Sequence, residues 1–515
     1  MHSRFLSEAL LRAFHGRSRK LIILGVLLIS ATYLFVSGAA GNHSDWSSWR
    51  RPFRPTKWRL QCSPEDYAGG RWIHRPYYAR EGPLTKTYHL GTGFDISDES
   101  DTSASTKRIQ NMTKPEDVFT FNRFEGCASS KDYWWHLAAN KPEQYDRFPG
   151  PAEWEWAPGG RCAHADPSDG LRDWDAEEVI RELIQGGGWL FIGDSVTENQ
   201  FFALSCLLYP HVVATPDFNH LTVEADRAWP QHLYLNPASP LAQSHNGDGS
   251  DAIEFPPGFN VSSTPLVTVR RVDLLYSKED LKKMHRELRP GFYEGAASGS
   301  EFVLFGDEPV WTISPADYFS IFQQHNYATM IVSTAGHWTT NLFRGYHLEG
   351  NPKPASEAGS AVKPVLGYDG LITFFAEVMD RWARDIQNRI DAANRREEPE
   401  SSMRGNGKRA LRKVLVRAYL PGHEDCHSHR TPWTEVQPFE WYWWNWREVS
   451  RFNDAFQRIL GRRVEYPDIH YLPIDRPARL RPDAHSTGDC LHIMAGAGVL
   501  EGWSHYMWHF ITREI

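Results

Sequence analysis

Positive charge is in short supply in this chain. Its 56 lysines and arginines are outnumbered by 64 aspartates and glutamates, for a formal net charge of −8. Nothing then balances phosphate repulsion, which excludes a nucleic-acid binder. No segment repeats, so solenoid and array architectures are set aside. Cysteine is scarce at six in 515 residues, and all six lie beyond residue 60. His423, Cys426, His427 and His429 have zinc-like residue types but no second Cys/His pair at finger spacing. We read that cluster as a loop, and expect neither a metal nor a built-in cofactor.

What is present begins at the N-terminus. Residues 1–20 carry Arg4, Arg12, Arg17, Arg19 and Lys20 against Glu8 alone. Leu21 to Ala40 follow with no charge, long enough to cross a bilayer as a helix. The basic flank places residues 1–20 in the cytoplasm and the remainder in the lumen, as a single-pass type II protein of the secretory pathway, in the Golgi. Ser37, Gly38, Ala39 and Ala40 offer a signal-peptide cut site instead, but the apolar core exceeds the about 7–15 residues of a signal h-region. Lumenal placement makes Asn42, Asn111 and Asn260 glycosylation acceptors on exposed loops. It also makes Cys62, Cys127, Cys162, Cys206, Cys426 and Cys490 three disulfides, for which fifteen pairings are open.

Residues 41–60 read as a stem and 61–150 as an irregular lobe held by cysteines, with a loop over 97–114. From 151 to 515 short apolar runs alternate with helical periodicity. Strands are expected at Trp189–Ile192, Leu266–Val269, Phe302–Phe305, Thr329–Val332, Val414–Tyr419 and His470–Pro473. Helices are expected at Asp175–Ile184, Thr197–Tyr209, Leu371–Asn394 and Trp446–Leu460. This α/β alternation implies a mostly parallel sheet covered on both faces, with its site beyond the carboxyl ends of the strands.

Gly193-Asp194-Ser195 stands at such an end. A serine hydroxyl needs a base within hydrogen-bond reach and a group to orient that base. Asp489 and His492, three apart, supply both, with His492 as base and Asp489 orienting it. Read locally, Asp194 and Ser195 would do no more than cap a helix, and the two roles are compatible. The Ser195 backbone N–H, at a helix start, is suited to an oxyanion. Among 21 tryptophans, the run Phe439 to Trp446 offers faces for sugar stacking, but core packing is the stronger reading.

Trp154, Trp156, Pro158 and Cys162 precede the Gly-Asp-Ser turn; Asn199-Gln200 and Cys206-Leu207-Leu208 follow it; Gly336-His337-Trp338 stands mid-chain. Arg481-Pro482-Asp483-Ala484-His485 then leads into Asp489-Cys490-Leu491-His492. In these segments, from Trp154 to the C-terminus with gaps, the chain resembles the plant trichome-birefringence-like polysaccharide O-acetyltransferases. It resembles the wider PC-esterase group in the same way. The resemblance implies an αβα sandwich of SGNH (GDSL-like) hydrolase type. It implies disulfides Cys62–Cys162, Cys127–Cys206 and Cys426–Cys490, and a structural role for His485. It implies acetyl transfer through a Ser195 acyl-enzyme onto polysaccharide hydroxyls, with an acetyl donor such as acetyl-CoA as co-substrate. Removal of acetyl esters by the same triad, or glycan binding without catalysis, are the rival readings. The partners expected are a polysaccharide acceptor and a bilayer through residues 21–40; no feature points to a protein partner. Gly193, Asp194, Asn199, Gly336 and His337 are the candidate oxyanion or substrate contacts. One departure stands out: Thr334 occupies the position where the family carries asparagine, so a shorter hydroxyl replaces an amide donor.

Overall fold

The structure, a computed structural model, describes residues 61–75, 112–164, 170–222, 226, 228–243, 253–293, 302–347, 364–403, 411–439 and 444–515. Leu60–Ile515 form one compact unit. Strands are β1 (Arg71–His74), β2 (Trp154–Ala157), β3 (Gly188–Gly193), β4 (Val212–Thr215), β5 (Gln231–Leu235), β6 (Val267–Arg271), β7 (Tyr327–Ser333), β8 (Lys413–Arg417) and β9 (Ile469–Leu472). The helices used below are α1 (Tyr133–His136), α2 (Ala176–Gln185), α3 (Ser195–Leu207), α4 (Lys278–Leu288), α5 (Pro315–Gln324), α6 (Gly367–Met403), α7 (Val449–Leu460) and α8 (Val499–His509).

The main sheet runs β4-β5-β6-β3-β7-β8-β9. From β6 to β9 every pairing is parallel, while β4 and β5 add an antiparallel edge. Taken in chain order, the five parallel strands lie 2-1-3-4-5, a doubly wound order whose crevice opens where the winding reverses, between β3 and β7. Every residue of β3 and of β7 is buried, as unbroken apolar runs such as Trp189-Leu190-Phe191-Ile192 require of strands covered on both faces. Helix α3 packs on β3, β6 and α8, and α6 packs on α4, α5 and α7.

The expected mixed α/β fold with a mostly parallel sheet is therefore present. Phe302–Phe305 is not a strand: β7 and β6 already flank β3, and this run instead plugs the core, with Leu304 and Phe305 buried and Gly345 N–H donating to the Leu304 carbonyl at 3.0 Å. The described residues of the expected N-terminal lobe, 61–75 and 112–150, belong to the same compact unit as the main sheet. Strand β1 pairs with β2, and the Trp72 indole donates to the Pro477 carbonyl at 2.9 Å.

Among the described residues no helix is long and apolar enough to cross a membrane, which stands against the expected single-pass type II placement. Even α6, at 37 residues, carries charge throughout its length. The span expected at 21–40, the tail before it, the stem after it, and the acceptors Asn42 and Asn111 lie outside the described residues. Asn260 sits exposed in a turn, its side-chain oxygen accepting from the Ser262 N–H at 2.9 Å.

Candidate active site

Strand β3 leads directly into the Gly193-Asp194-Ser195 turn. Asp194 is extended (φ −86°, ψ −162°) and caps α3: its Oδ1 accepts from the Val196 N–H at 3.0 Å. Ser195 becomes the first helical residue, whose N–H has no acceptor within the helix. Gly193 allows this turn to lie tight against its neighbours. A Cβ there would sit 2.6 Å from the Ser333 carbonyl oxygen and collide with Thr197.

The expected base, His492, arrives from the far end of the chain. Asp489 Oδ1 accepts from the backbone N–H groups of Leu491 (2.8 Å) and His492 (2.9 Å), folding the segment into a tight turn. That turn places His492 Nδ1 at 3.0 and 2.9 Å from the two Asp489 oxygens. A carboxylate only accepts, so Nδ1 carries the proton and Nε2 presents its lone pair to the Ser195 hydroxyl, 2.7 Å away. Burial opposes charge on Asp489, but His492 and the two backbone N–H groups outweigh it and hold this carboxyl well below the usual range. Hydroxyl, imidazole and carboxylate thus form one relay across 297 residues of sequence.

Several elements brace the relay. Disulfides join Cys62–Cys162, Cys127–Cys206 and Cys426–Cys490. The last anchors the residue beside Asp489, and the Cys490 carbonyl accepts from the His423 N–H at 2.8 Å. Cys426, His427 and Cys490 each bring one ligand atom within 4.8 Å of the others, yet the two sulfurs are bonded to each other. Arg481 is buried and forked onto Asp483 at 2.9 and 3.0 Å, and it also donates to the Pro151 carbonyl at 2.6 Å. His485 supports the turn from behind, with Nδ1 3.2 Å from the His492 carbonyl and Nε2 2.6 Å from His423 Nδ1.

The other candidates divide. Asn199 is fully buried and committed: its amide donates to His136 Nδ1 at 2.9 Å and its oxygen accepts from the Ile493 N–H at 3.1 Å. It braces the His492 turn with its oxygen and spends one of its two amide hydrogens on His136. Thr334 donates its single hydroxyl hydrogen to the Asp273 carbonyl at 2.8 Å and has none left for an oxyanion. Gly336 lies against the Gly193-Asp194-Ser195 turn, where a Cβ would crowd the Tyr419 hydroxyl and come within 3.1 Å of Asp194 Oδ2. His337 sits between Glu308 (3.4 Å) and Asp273 (3.8 Å). Burial would lower its pKa, but Glu308, Asp273 and Asp194 together raise it.

Sequence reading missed Trp135, whose indole meets the His492 ring edge-on at 5.0 Å between centroids. It missed His136 as well, stacked on Phe202 at 4.2 Å. Both lie on the single turn of α1, too short to show any periodicity. Within the aromatic run, Trp446 is buried and Trp444 is 58% exposed; residues 440–443 lie outside the description. No family model matches the chain, and no curated protein matches it.

Proposed function

We propose that this protein is a serine-dependent acyltransferase of SGNH type that moves an acetyl group onto hydroxyls of a polysaccharide. The observation that carries the reading is the relay itself, with Ser195 Oγ 2.7 Å from His492 Nε2 and both Asp489 oxygens on Nδ1. Its position at the carboxyl end of β3, beside the reversal point of a 2-1-3-4-5 sheet, is where such folds put their chemistry. The acetyl group and the polysaccharide acceptor rest on the family resemblance of the flanking motifs.

In the first half-reaction Ser195 Oγ attacks the carbonyl carbon of the acetyl donor while His492 Nε2 takes the hydroxyl proton. The Ser195 N–H, free at the start of α3, faces the developing oxyanion. His492 returns the proton to the leaving group, and the acetyl ester stays on Ser195. In the second half-reaction His492 takes a proton from a sugar hydroxyl, whose oxygen attacks that ester. The proton then goes back to Ser195 Oγ as the acetylated sugar departs.

Hydrolysis is the second reading, since water entering in place of the sugar gives an acetylesterase. The Asp489 side chain is 41% exposed, so solvent reaches the outer edge of the relay. Incubation with an acetyl donor and a panel of polysaccharides separates the two. Transfer adds about 42 Da to the glycan, the mass of an acetyl group replacing a hydrogen, whereas hydrolysis yields only free acetate. If neither product forms and a fluorophosphonate probe leaves Ser195 unmodified, the acyl-enzyme reading is wrong.

A further inference from the structure

We propose that Trp135, Trp229 and Trp311 are sugar-stacking platforms of one groove, which lays a neutral glycan chain across Ser195. The inference rests on the reading of a polysaccharide acceptor, and deepens it by naming the surface that takes the chain and the class of chain it takes.

A tryptophan ordinarily spends its large apolar faces on a core. Among the described residues, the half-buried Trp134, Trp154 and Trp433 do pack against the core, whereas the half-buried Trp135, Trp229 and Trp311 do not. All three of the latter stand around the Gly193-Asp194-Ser195 turn. Trp135 flanks it on the relay side. Its ring meets His492 edge-on at 5.0 Å, and a Cβ on Gly488, the residue before Asp489, would come within 2.5 Å of the indole nitrogen. Its helix neighbour Trp134 packs instead on Phe119 and Tyr133.

Trp311 flanks the turn on the β6 side. Arg271 is the register partner of Gly193, and the Val272 N–H donates to the Gly193 carbonyl at 2.8 Å. One residue on, the Asp273 N–H donates to the Trp311 carbonyl and the Trp311 N–H to Asp273 Oδ2, both at 2.8 Å. The indole itself is fixed twice. The Arg271 guanidinium covers one face at 4.3 Å, and Nε1 donates to Asp226 Oδ1 at 3.0 Å. Among the described residues no second ring or guanidinium lies on it. Trp229 joins from β5: its N–H donates to the Asp226 carbonyl at 3.0 Å. It stands two residues before Gln231, whose register partner Val269 is two before Arg271. Gln231 Nε2 in turn donates at 2.5 Å to Glu198 Oε1, one turn along α3 from Ser195.

Indoles held in place at a catalytic mouth match pyranose rings, which offer apolar C–H faces and a rim of hydroxyls. Platforms on both flanks of Ser195 call for a chain of sugars, not a single one. Local charge selects a neutral chain. Arg271 is held by Asp273 at 3.0 Å, Arg270 by the Ala228 carbonyl, and Lys131 by Glu198. Asp226, by contrast, is exposed, and its Oδ1 takes both the Ala228 N–H at 2.8 Å and the Trp311 indole. Oδ2 is then the oxygen left to accept from sugar hydroxyls, and it would repel a uronate.

The test is isothermal titration of the full-length protein, without donor, against cellohexaose, xylohexaose, mannohexaose and hexagalacturonate. At least one neutral hexasaccharide is expected to bind, and more tightly than hexagalacturonate. Trp135→Ala, Trp229→Ala and Trp311→Ala are each expected to raise its Kd about tenfold. Trp311→Phe keeps a stacking face and is expected to recover part of the loss. In acetyl transfer to that glycan, Trp311→Ala is expected to raise the acceptor KM by a larger factor than it lowers kcat. Tighter binding of hexagalacturonate, no binding of any neutral hexasaccharide at millimolar concentration, or an unchanged Kd in any folded alanine variant overturns the proposal. Should a variant fail to fold, saturation-transfer NMR on wild type decides: transfer from aromatic protons to the sugar C–H protons supports stacking, and its absence refutes it. Because binding is read without a donor, a protein that binds the glycan but never labels at Ser195 defeats the acyltransferase reading alone.

Discussion

Replacing Asp489 with asparagine exchanges one heavy atom of the relay, an oxygen for an amide nitrogen, and inverts its logic. Asp489 Oδ1 accepts from two backbone N–H groups, and both oxygens face His492 Nδ1. An asparagine in this turn keeps its carbonyl oxygen toward the backbone donors, which leaves its NH₂ group toward Nδ1. Nδ1 must then accept, so the ring proton moves to Nε2 and points at Ser195 Oγ. The base cannot take a proton from the hydroxyl in that tautomer. Loss of a correctly oriented carboxylate in such a relay costs about 10³–10⁴ in turnover, or roughly 4–5.5 kcal/mol of transition-state stabilisation. The assay is release of 4-nitrophenol from 4-nitrophenyl acetate by Asp489→Asn at neutral pH, beside a thermal melt showing that the fold is intact. A well-folded variant retaining more than about a tenth of wild-type turnover refutes the tautomer reasoning.

Four further outcomes are expected. Opening the Cys426–Cys490 link by a double serine substitution frees a loop of 64 residues, costs about 4 kcal/mol, and lowers the melting temperature by roughly 4 °C in a unit of this size; calorimetry checks it, and Ser195 labelling should slow with it. Thr334→Ala should cost about 1 kcal/mol of stability in denaturant titration yet leave turnover within about threefold, because that hydroxyl serves the Asp273 carbonyl. Gly336→Ala should abolish Ser195 labelling, since its methyl group would press on Tyr419 and Asp194. Burial holds His423 and His505 down at about 4, His285 at about 3 and His485 well below its ordinary value, so these rings stay neutral in the folded chain. Unfolded, they take up protons below about pH 6.5, so stability is full above that pH and falls as pH drops toward 4, by about 1.4 kcal/mol per unit for each ring. Urea titrations between pH 7 and 5 that show a flat midpoint would contradict this.

The sheet was legible wherever burial on both faces leaves a continuous apolar run, as in Trp189–Ile192 and Thr329–Val332. The edge pair β4 and β5 escaped because β5, Gln231-His232-Leu233-Tyr234-Leu235, alternates buried and half-buried residues and carries polar groups. Helix α8 escaped for the opposite reason. It is buried all round, so Val499 to His509 show no amphipathic stripe. Phe302–Phe305 misled because a short apolar run signals burial without saying in what conformation. At the site, Ser195, Asp489 and His492 could be named from motif chemistry, and the geometry brings all three together. Asn199 and Thr334 could not be placed, since a side chain's partners there lie on distant segments: Asn199 reaches Ile493, and Thr334 reaches Asp273. The same distance hid Trp135, which meets His492.

A relay whose hydroxyl and imidazole are separated by most of the polypeptide has a consequence for the newborn chain. Synthesis finishes the Gly-Asp-Ser turn long before Asp489 and His492 exist, and α8, which seats against α3, is made later still. A ribosome-bound fragment therefore holds an inert serine. Under the proposed acyl-enzyme chemistry, reactivity switches on only when the final segment closes over the finished sheet, and a half-made copy is unable to acylate itself or its neighbours.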